Sequence, residues 1–174
     1  MGRRWLLGTI IIVSLAIILS CVCGPCDTAR RNKELVAEVF SIIEAGDLDR
    51  LDAYVAADYV RHCQATPDVN VTSLQGFKEY LIDLEESFPD QKLVVHRLVA
   101  EDDLVAFWAT WSAVQEGSMG DFPATGKRME LDIAGMHRVA EGKIVESWMT
   151  WDNLTGLMQV GLFPPEASET IEED

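Results

Sequence analysis

Residues 122–152 constrain the fold of this chain more than any other stretch. They read FPATGKRMELDIAGMHRVAEGKIVESWMTWD. Apolar and polar residues alternate over 127–139 and again over 143–151, with Glu141-Gly142 between them. Period-two alternation on both sides of a tight Gly-containing turn predicts a β-hairpin of long strands. A second pair of strand-like segments precedes it, 92–100 and 104–115, turning at Glu101-Asp102-Asp103 and rich in Val, Phe and Trp.

The segments before these strands have the other period. Leu35, Val36, Val39, Phe40, Ile42 and Ile43 fall at helical spacing within 29–45. Gly46 supplies a stop, and Asp47 is placed to cap a short helix through Leu48, Leu51 and Tyr54. Residues 57–62 read as a short strand. Thr72 with Gln75 matches a capping box for a helix bearing Phe77, Leu81, Leu84 and Phe88, which Pro89 ends. The predicted order is helices first, then four long antiparallel strands, an α+β arrangement whose curved antiparallel sheet packs against N-terminal helices to form a cone. The inside of such a cone is a natural pocket for a small molecule.

The chain ends carry separate signals. Met1-Gly2-Arg3-Arg4 precedes an uncharged, largely apolar run through Cys26, the pattern of an export signal. Ile18-Leu19-Ser20-Cys21 resembles a bacterial lipoprotein box, which would make Cys21 a lipidated N-terminus. The same residues approach the length of a single membrane anchor, and both alternatives tether an exported domain to a membrane. Cys23-Gly24-Pro25-Cys26 spells a thioredoxin-like C-G-P-C, but an export signal replaces the strand such a motif needs in front of it, which favours a membrane-proximal linker. The expected organisation is a signal or anchor over 1–26, a linker over 27–31, one domain over 32–163 and an acidic, disordered tail over 164–174. Without Arg3 and Arg4, 12 basic residues face 29 acidic ones, a net charge of about −17 that repels phosphate backbones and argues against nucleic acid as a partner.

Several pieces in register resemble one family. They are Tyr59-Val60-Arg61-His62, Gly76-Phe77, Ser87-Phe88-Pro89-Asp90, the segment from Phe122 to Arg128, the run from Arg138 to Glu146, and Trp151-Asp152 leading to Gln159-Val160-Gly161. Together they resemble the SnoaL-like polyketide cyclase (ester cyclase) branch of the nuclear-transport-factor-2-like fold. The resemblance implies a cone-shaped domain, a homodimer formed through the sheet, and ring closure by an acid/base pair with no metal or cofactor. That chemistry needs a carboxylate able to exchange a proton with a carbon acid and a donor that polarises a carbonyl. The resemblance places the Asp of the pair at Met149 and the His at Gly135, and neither residue transfers a proton.

Two readings follow. In the first, a membrane-tethered module binds a small apolar or amphipathic molecule in a cone lined by Trp108, Gly135, Met149 and Trp151. In the second, a cyclase, isomerase or hydrolase uses a relocated catalytic set of His62, His137 and Asp152. Each member of that set has a plainer role open to it: the histidines as hydrogen-bonded core residues, Asp152 as the cap of a final helix. His96 lies among apolar strand residues and is a weaker candidate.

Overall fold

The computed structural model describes residues 25–163. The apolar N-terminal segment with Cys21 and Cys23, and the acidic tail, lie outside the described residues. Among the described residues no helix is long and apolar enough to cross a membrane.

Helix α1 runs Pro25–Glu44, so the residues expected to form a linker over 27–31 are helical. The local chemistry explains the difference. Pro25 stands at the first helical position, where its missing N–H is harmless. Asp27 lies in the first turn, favourable to the helix dipole, 2.6 Å from Arg30 Nη2, while Arg30 Nη1 reaches Glu34 at 2.9 Å. The helix ends where Gly46 adopts φ 68°. Val36, Val39 and Ile42 form its buried stripe, packed against the sheet.

A single 3-10 turn over Leu48–Ala53 follows, with Leu51 buried; Asp47 precedes it but makes no side-chain cap bond. Strand β1, Val55–Cys63, is longer than the sequence pattern suggested. Helix α2, Leu74–Ser87, is capped by Ser73 rather than Thr72: the Ser73 hydroxyl accepts from Gly76 N–H at 3.0 Å, and Gln75 bonds Glu79 instead of closing a capping box.

Four strands then form an antiparallel meander: β2 (Lys92–Glu101), β3 (Leu104–Val114), β4 (Arg128–Ala140) and β5 (Lys143–Trp151). The sheet order is β1-β5-β4-β3-β2, and β1 runs parallel to β5. The sheet is therefore mixed rather than antiparallel throughout. A parallel neighbour needs a long crossover, here supplied by everything between β1 and β5. Register shifts in β1, in β2 and at Arg138/Val139 bend the sheet around the helices.

The β4–β5 turn uses Glu141 at φ 52° and Gly142 at φ 76°, the doubly left-handed geometry that matches strand twist. Ahead of β4, buried Gln115 organises the connection. Its Nε2 donates to the carbonyls of Gly117 (3.3 Å) and Pro123 (3.2 Å), and its Oε1 accepts from the Thr125 hydroxyl at 2.7 Å. Helix α3, Asn153–Val160, closes the chain and ends at Gly161, φ 78°.

The main core joins α1, α2 and the inner face of β1, β3, β4 and β5. A smaller one gathers Phe88, Ala113, Met129, Leu131 and Val160, with Trp111 and Trp151 packed against it. The helices cover one face of the sheet. The other presents Val94, Val99 and Trp108 to solvent.

Candidate functional site: the inner face of the cone

Side chains alternate along a strand, so the faces of β1, β4 and β5 follow from their register. Arg61 of β1 pairs with Ser147 of β5, which pairs with His137 of β4. All three are buried and point toward the helices. In the next inward row, Cys63 pairs with Met149, Met149 with Gly135, and Gly135 with Phe107 of β3. One row is polar and the other almost entirely apolar.

His137 is 4 % exposed, and its Nδ1 lies 2.6 Å from the Ser147 hydroxyl. Its ring stacks on Phe107, with centroids 5.0 Å apart and planes 13° apart, and Phe40 touches both rings, at 5.6 Å from His137 and edge-on to Phe107 at 5.1 Å. Burial in this cluster holds its pKa down to about 4, so the imidazole is neutral at physiological pH. Its Nε2 has no hydrogen-bond partner among the described residues. The Tyr59 hydroxyl also bonds the Ser147 side chain. Burial pushes the phenol up to about 12, against the opposing influence of that bond and of the Arg61 charge. Tyr59, Ser147 and His137 thus form a short, neutral hydrogen-bonded chain.

Arg61 is the more unusual member. The side chain is 4 % exposed. Nη1 donates to the Thr66 hydroxyl at 3.2 Å and Nη2 to the Tyr80 hydroxyl at 3.3 Å, both neutral acceptors. The guanidinium carbon lies 4.5 Å from the centroid of Tyr80 and 5.8 Å from that of Trp151. Among the described residues Nε has no hydrogen-bond partner and none of the ion pairs includes Arg61. A guanidinium remains charged when buried. Removing such an ion from water costs several kcal/mol even after relaxation, roughly 3 or more. A desolvated cation–π contact returns about 2 kcal/mol or more. The Arg61 charge is met by hydroxyls and aromatic faces and by no anionic group among the described residues.

The residues expected from sequence to form a relocated catalytic set do not converge. His62 is one residue out of phase with Arg61 and lies on the outer face. Its Nε2 is 2.9 Å from Glu146 Oε1, and its ring stacks on Trp148 at 5.5 Å. Asp152 is exposed and caps α3, accepting from Leu154 N–H (2.9 Å), Thr155 N–H (3.2 Å) and the Thr155 hydroxyl (2.7 Å). The Thr155 hydroxyl bond is the main reason its carboxyl is held below the usual range. Of the three, His137 alone faces the cone. His96 bonds the Thr110 hydroxyl at 2.8 Å and is exposed.

Among the expected ligand-binding residues, Trp108 is 48 % exposed on the outer face, which its parity with Thr110 dictates. Gly135, Met149 and Trp151 lie on the inner face, where Trp151 Nε1 donates to Asn153 Oδ1 at 2.7 Å. Tyr59, Arg61 and Ser147 were absent from the expected set, although the parity of Tyr59 and Arg61 on one strand was a usable signal. Among the described residues no group of three or more His, Cys, Asp or Glu side chains is placed to hold a metal ion.

The model of the SnoaL-like polyketide cyclases matches residues 33–160. This chain belongs to that family. Among solved structures, the SnoaL-like domain is similar to IdmH from Streptomyces antibioticus, a candidate polyketide cyclase. The two are 29 % identical with a TM-score of 0.67, over 75 % of this chain and 98 % of IdmH. It is also similar to AclR from Streptomyces galilaeus, a candidate hydroxylase, at 26 % identity and a TM-score of 0.68, over 78 % and 99 % of the two chains. A candidate cyclase from Acidithiobacillus ferrooxidans matches at 25 % identity and 0.68, over 75 % and 94 %. No curated protein matches the chain. One fold here carries names from two reaction classes, so the reaction has to be argued from the side chains of this SnoaL-like cone.

The positions that the family resemblance assigns to the proton-handling pair are direct cross-strand partners, Gly135 opposite Met149. A Cβ at Gly135 would lie 2.6 Å from two carbons of the Phe107 ring and 2.6 Å from the Trp148 carbonyl oxygen. Real Cβ atoms do not approach that closely, so in this SnoaL-like domain the Phe107 ring occupies the space a side chain at 135 would need.

Proposed function

We propose that this chain is a SnoaL-like domain that binds a small apolar or amphipathic molecule in its cone and does not close rings on it. The packing of the Phe107 ring over Gly135, opposite Met149, carries this reading. Neither 135 nor 149 bears a group that donates or accepts a proton there, and the ring denies space for one. The rival set loses His62 to the outer face and Asp152 to the α3 cap. His137 remains, but a neutral imidazole with a pKa near 4 is a weak base toward a carbon acid, and its hydrogen-bond partner is a hydroxyl rather than a carboxylate.

The test is to purify the full-length chain in mild detergent from cells grown in rich medium and to extract the small molecules it retains. A Met149→Trp variant, its fold checked by near-ultraviolet circular dichroism, fills the apolar row. The expected result is a molecule recovered from the wild type and lost from this variant. Equal recovery from both would overturn binding in the cone.

The same proposal places the domain outside the cytoplasm, tethered through residues 1–26, on the strength of Arg3, Arg4, the apolar run and Cys21. Metabolic labelling with an alkynyl fatty acid distinguishes the two forms of tether. Label lost in Cys21→Ala indicates a lipoprotein, and membrane association without label indicates an anchor. A chain found only in the soluble cytoplasmic fraction would refute the tether.

A further inference from the structure

Three features outside the inherited site compete for attention. An outer-face relay links His96, Thr110 and Asp132 at 2.8 Å each, but Thr110 gives its proton to the carboxylate, which leaves its oxygen no more nucleophilic than any hydroxyl. A surface pocket of about 840 Å³ lies at the end of α1 and is lined by Arg31, Asn32, Asp102, Asp103 and Glu141, a mixed and open set with no buried donor. The third is the polar row of the inner face. It holds both buried side-chain nitrogens that lack a partner among the described residues, Arg61 Nε and His137 Nε2, with Ser147 between them.

Building on the binding reading above, we propose that the molecule held in the cone is an amphipathic carboxylic acid whose carboxylate is received by Arg61. A guanidinium offers its donors in a planar fork that matches a carboxylate with two parallel hydrogen bonds. Arg61 is nine-tenths buried, keeps its charge, has no carboxylate partner among the described residues, and has one nitrogen without a partner and the other two on neutral hydroxyls at the long end of the hydrogen-bond range. An incoming carboxylate replaces the Thr66 and Tyr80 hydroxyls and neutralises the charge. The surroundings fit the rest of such a molecule. Trp151 and Tyr80 flank the guanidinium with aromatic faces, and Cys63 and Met149 continue the inner surface one row further on.

The segment nearest Arg61 is the 64–70 connection after β1. It covers Arg61 through the Thr66 hydroxyl and is tied to α3 by one side-chain bond, Asn153 Nδ2 to the Ala65 carbonyl. The net charge of the chain, −15, repels free anions at long range, so the apolar body of the acid and not its charge must drive uptake. This sets the class as amphipathic rather than small and ionic.

The experiment titrates the full-length chain calorimetrically with naphthylacetate, methyl naphthylacetate and naphthyl phosphate. Wild type is expected to bind the acid at least about tenfold more tightly than the ester, the scale of a hydrogen-bonded charge. Arg61→Met is expected to retain the ester and lose the preference, with a melting temperature no lower than wild type because an unpaired buried charge has gone. Arg61→Lys keeps a reduced preference. Equal binding of acid and ester by wild type overturns this inference and leaves the binding reading standing, whereas no binding of either overturns both. An acid preference that survives in Arg61→Met, together with a lower melting temperature, shows a purely structural arginine. Phosphate bound more tightly than the carboxylate overturns the assigned class.

Discussion

Acidification should destabilise this domain through His137. The imidazole is packed against Phe40 and Phe107 and has a pKa of about 4, against about 6.5 in the unfolded chain. Because the folded value is depressed, the unfolded state binds the extra proton first. Stability contributed by the neutral ring is intact above the unfolded pKa and declines as pH falls from there toward the folded value. Integration of that difference gives a loss of about 2 kcal/mol at about pH 5, approaching about 3 kcal/mol below pH 4. His137→Phe keeps an aromatic ring against Phe40 and Phe107 and removes the titration. Ser147 retains Tyr59 as a partner. Urea unfolding of both proteins at about pH 7 and about pH 5 isolates the effect, since every other ionisable side chain is common to both and cancels. Wild type should lose about 2 kcal/mol more than His137→Phe across that interval. Equal losses in the two proteins would show that His137 is not held neutral by burial, and the description of the inner row would fail with it.

Gly135→Ala should destabilise the domain by about 1–3 kcal/mol, because the added methyl meets the Phe107 ring and the Trp148 carbonyl. Adding Phe107→Leu should recover part of that loss but not all, a coupling read from denaturant midpoints of the double-mutant cycle. Asp152→Asn should leave ligand retention unchanged and nearly preserve the melting temperature, since an amide oxygen still caps α3, whereas Asp152→Ala should lower it. A loss of ligand in Asp152→Asn, measured by the same extraction, would return Asp152 to the site. His62→Ala should likewise leave retention unchanged, because the ring packs on Trp148 outside the cone.

The long hairpin was legible because alternation over β4 and β5 and a Glu-Gly turn with both residues at positive φ are local properties. The same holds for β2 and β3, whose limits fall within about a residue of the pattern. What is non-local was harder to read. The parallel pairing of β1 with β5 joins residues more than eighty positions apart, and nothing in residues 55–63 specifies it. Helix α1 starts earlier than expected because Cys-Gly-Pro-Cys reads as a linker, although proline suits a first helical turn.

At the site, His137 and the Gly135/Met149 pair could be placed by counting along the hairpin. Arg61 could not be chosen on residue type, since arginine is mostly exposed. Counting by two from Tyr59, which is buried, puts Arg61 inside and His62 outside. Asp152 shows the converse: its place just before Asn153-Leu154-Thr155 suited a cap, and a cap is what it forms.

The central claim is that this cone holds its molecule without transforming it. The most direct measurement incubates the molecule extracted from the wild-type chain with fresh full-length protein in equimolar amount and follows it by chromatography and mass spectrometry. The account predicts that it is recovered unchanged in mass and retention. A product of identical mass and shifted retention, the mark of an isomerised or ring-closed skeleton, would contradict it.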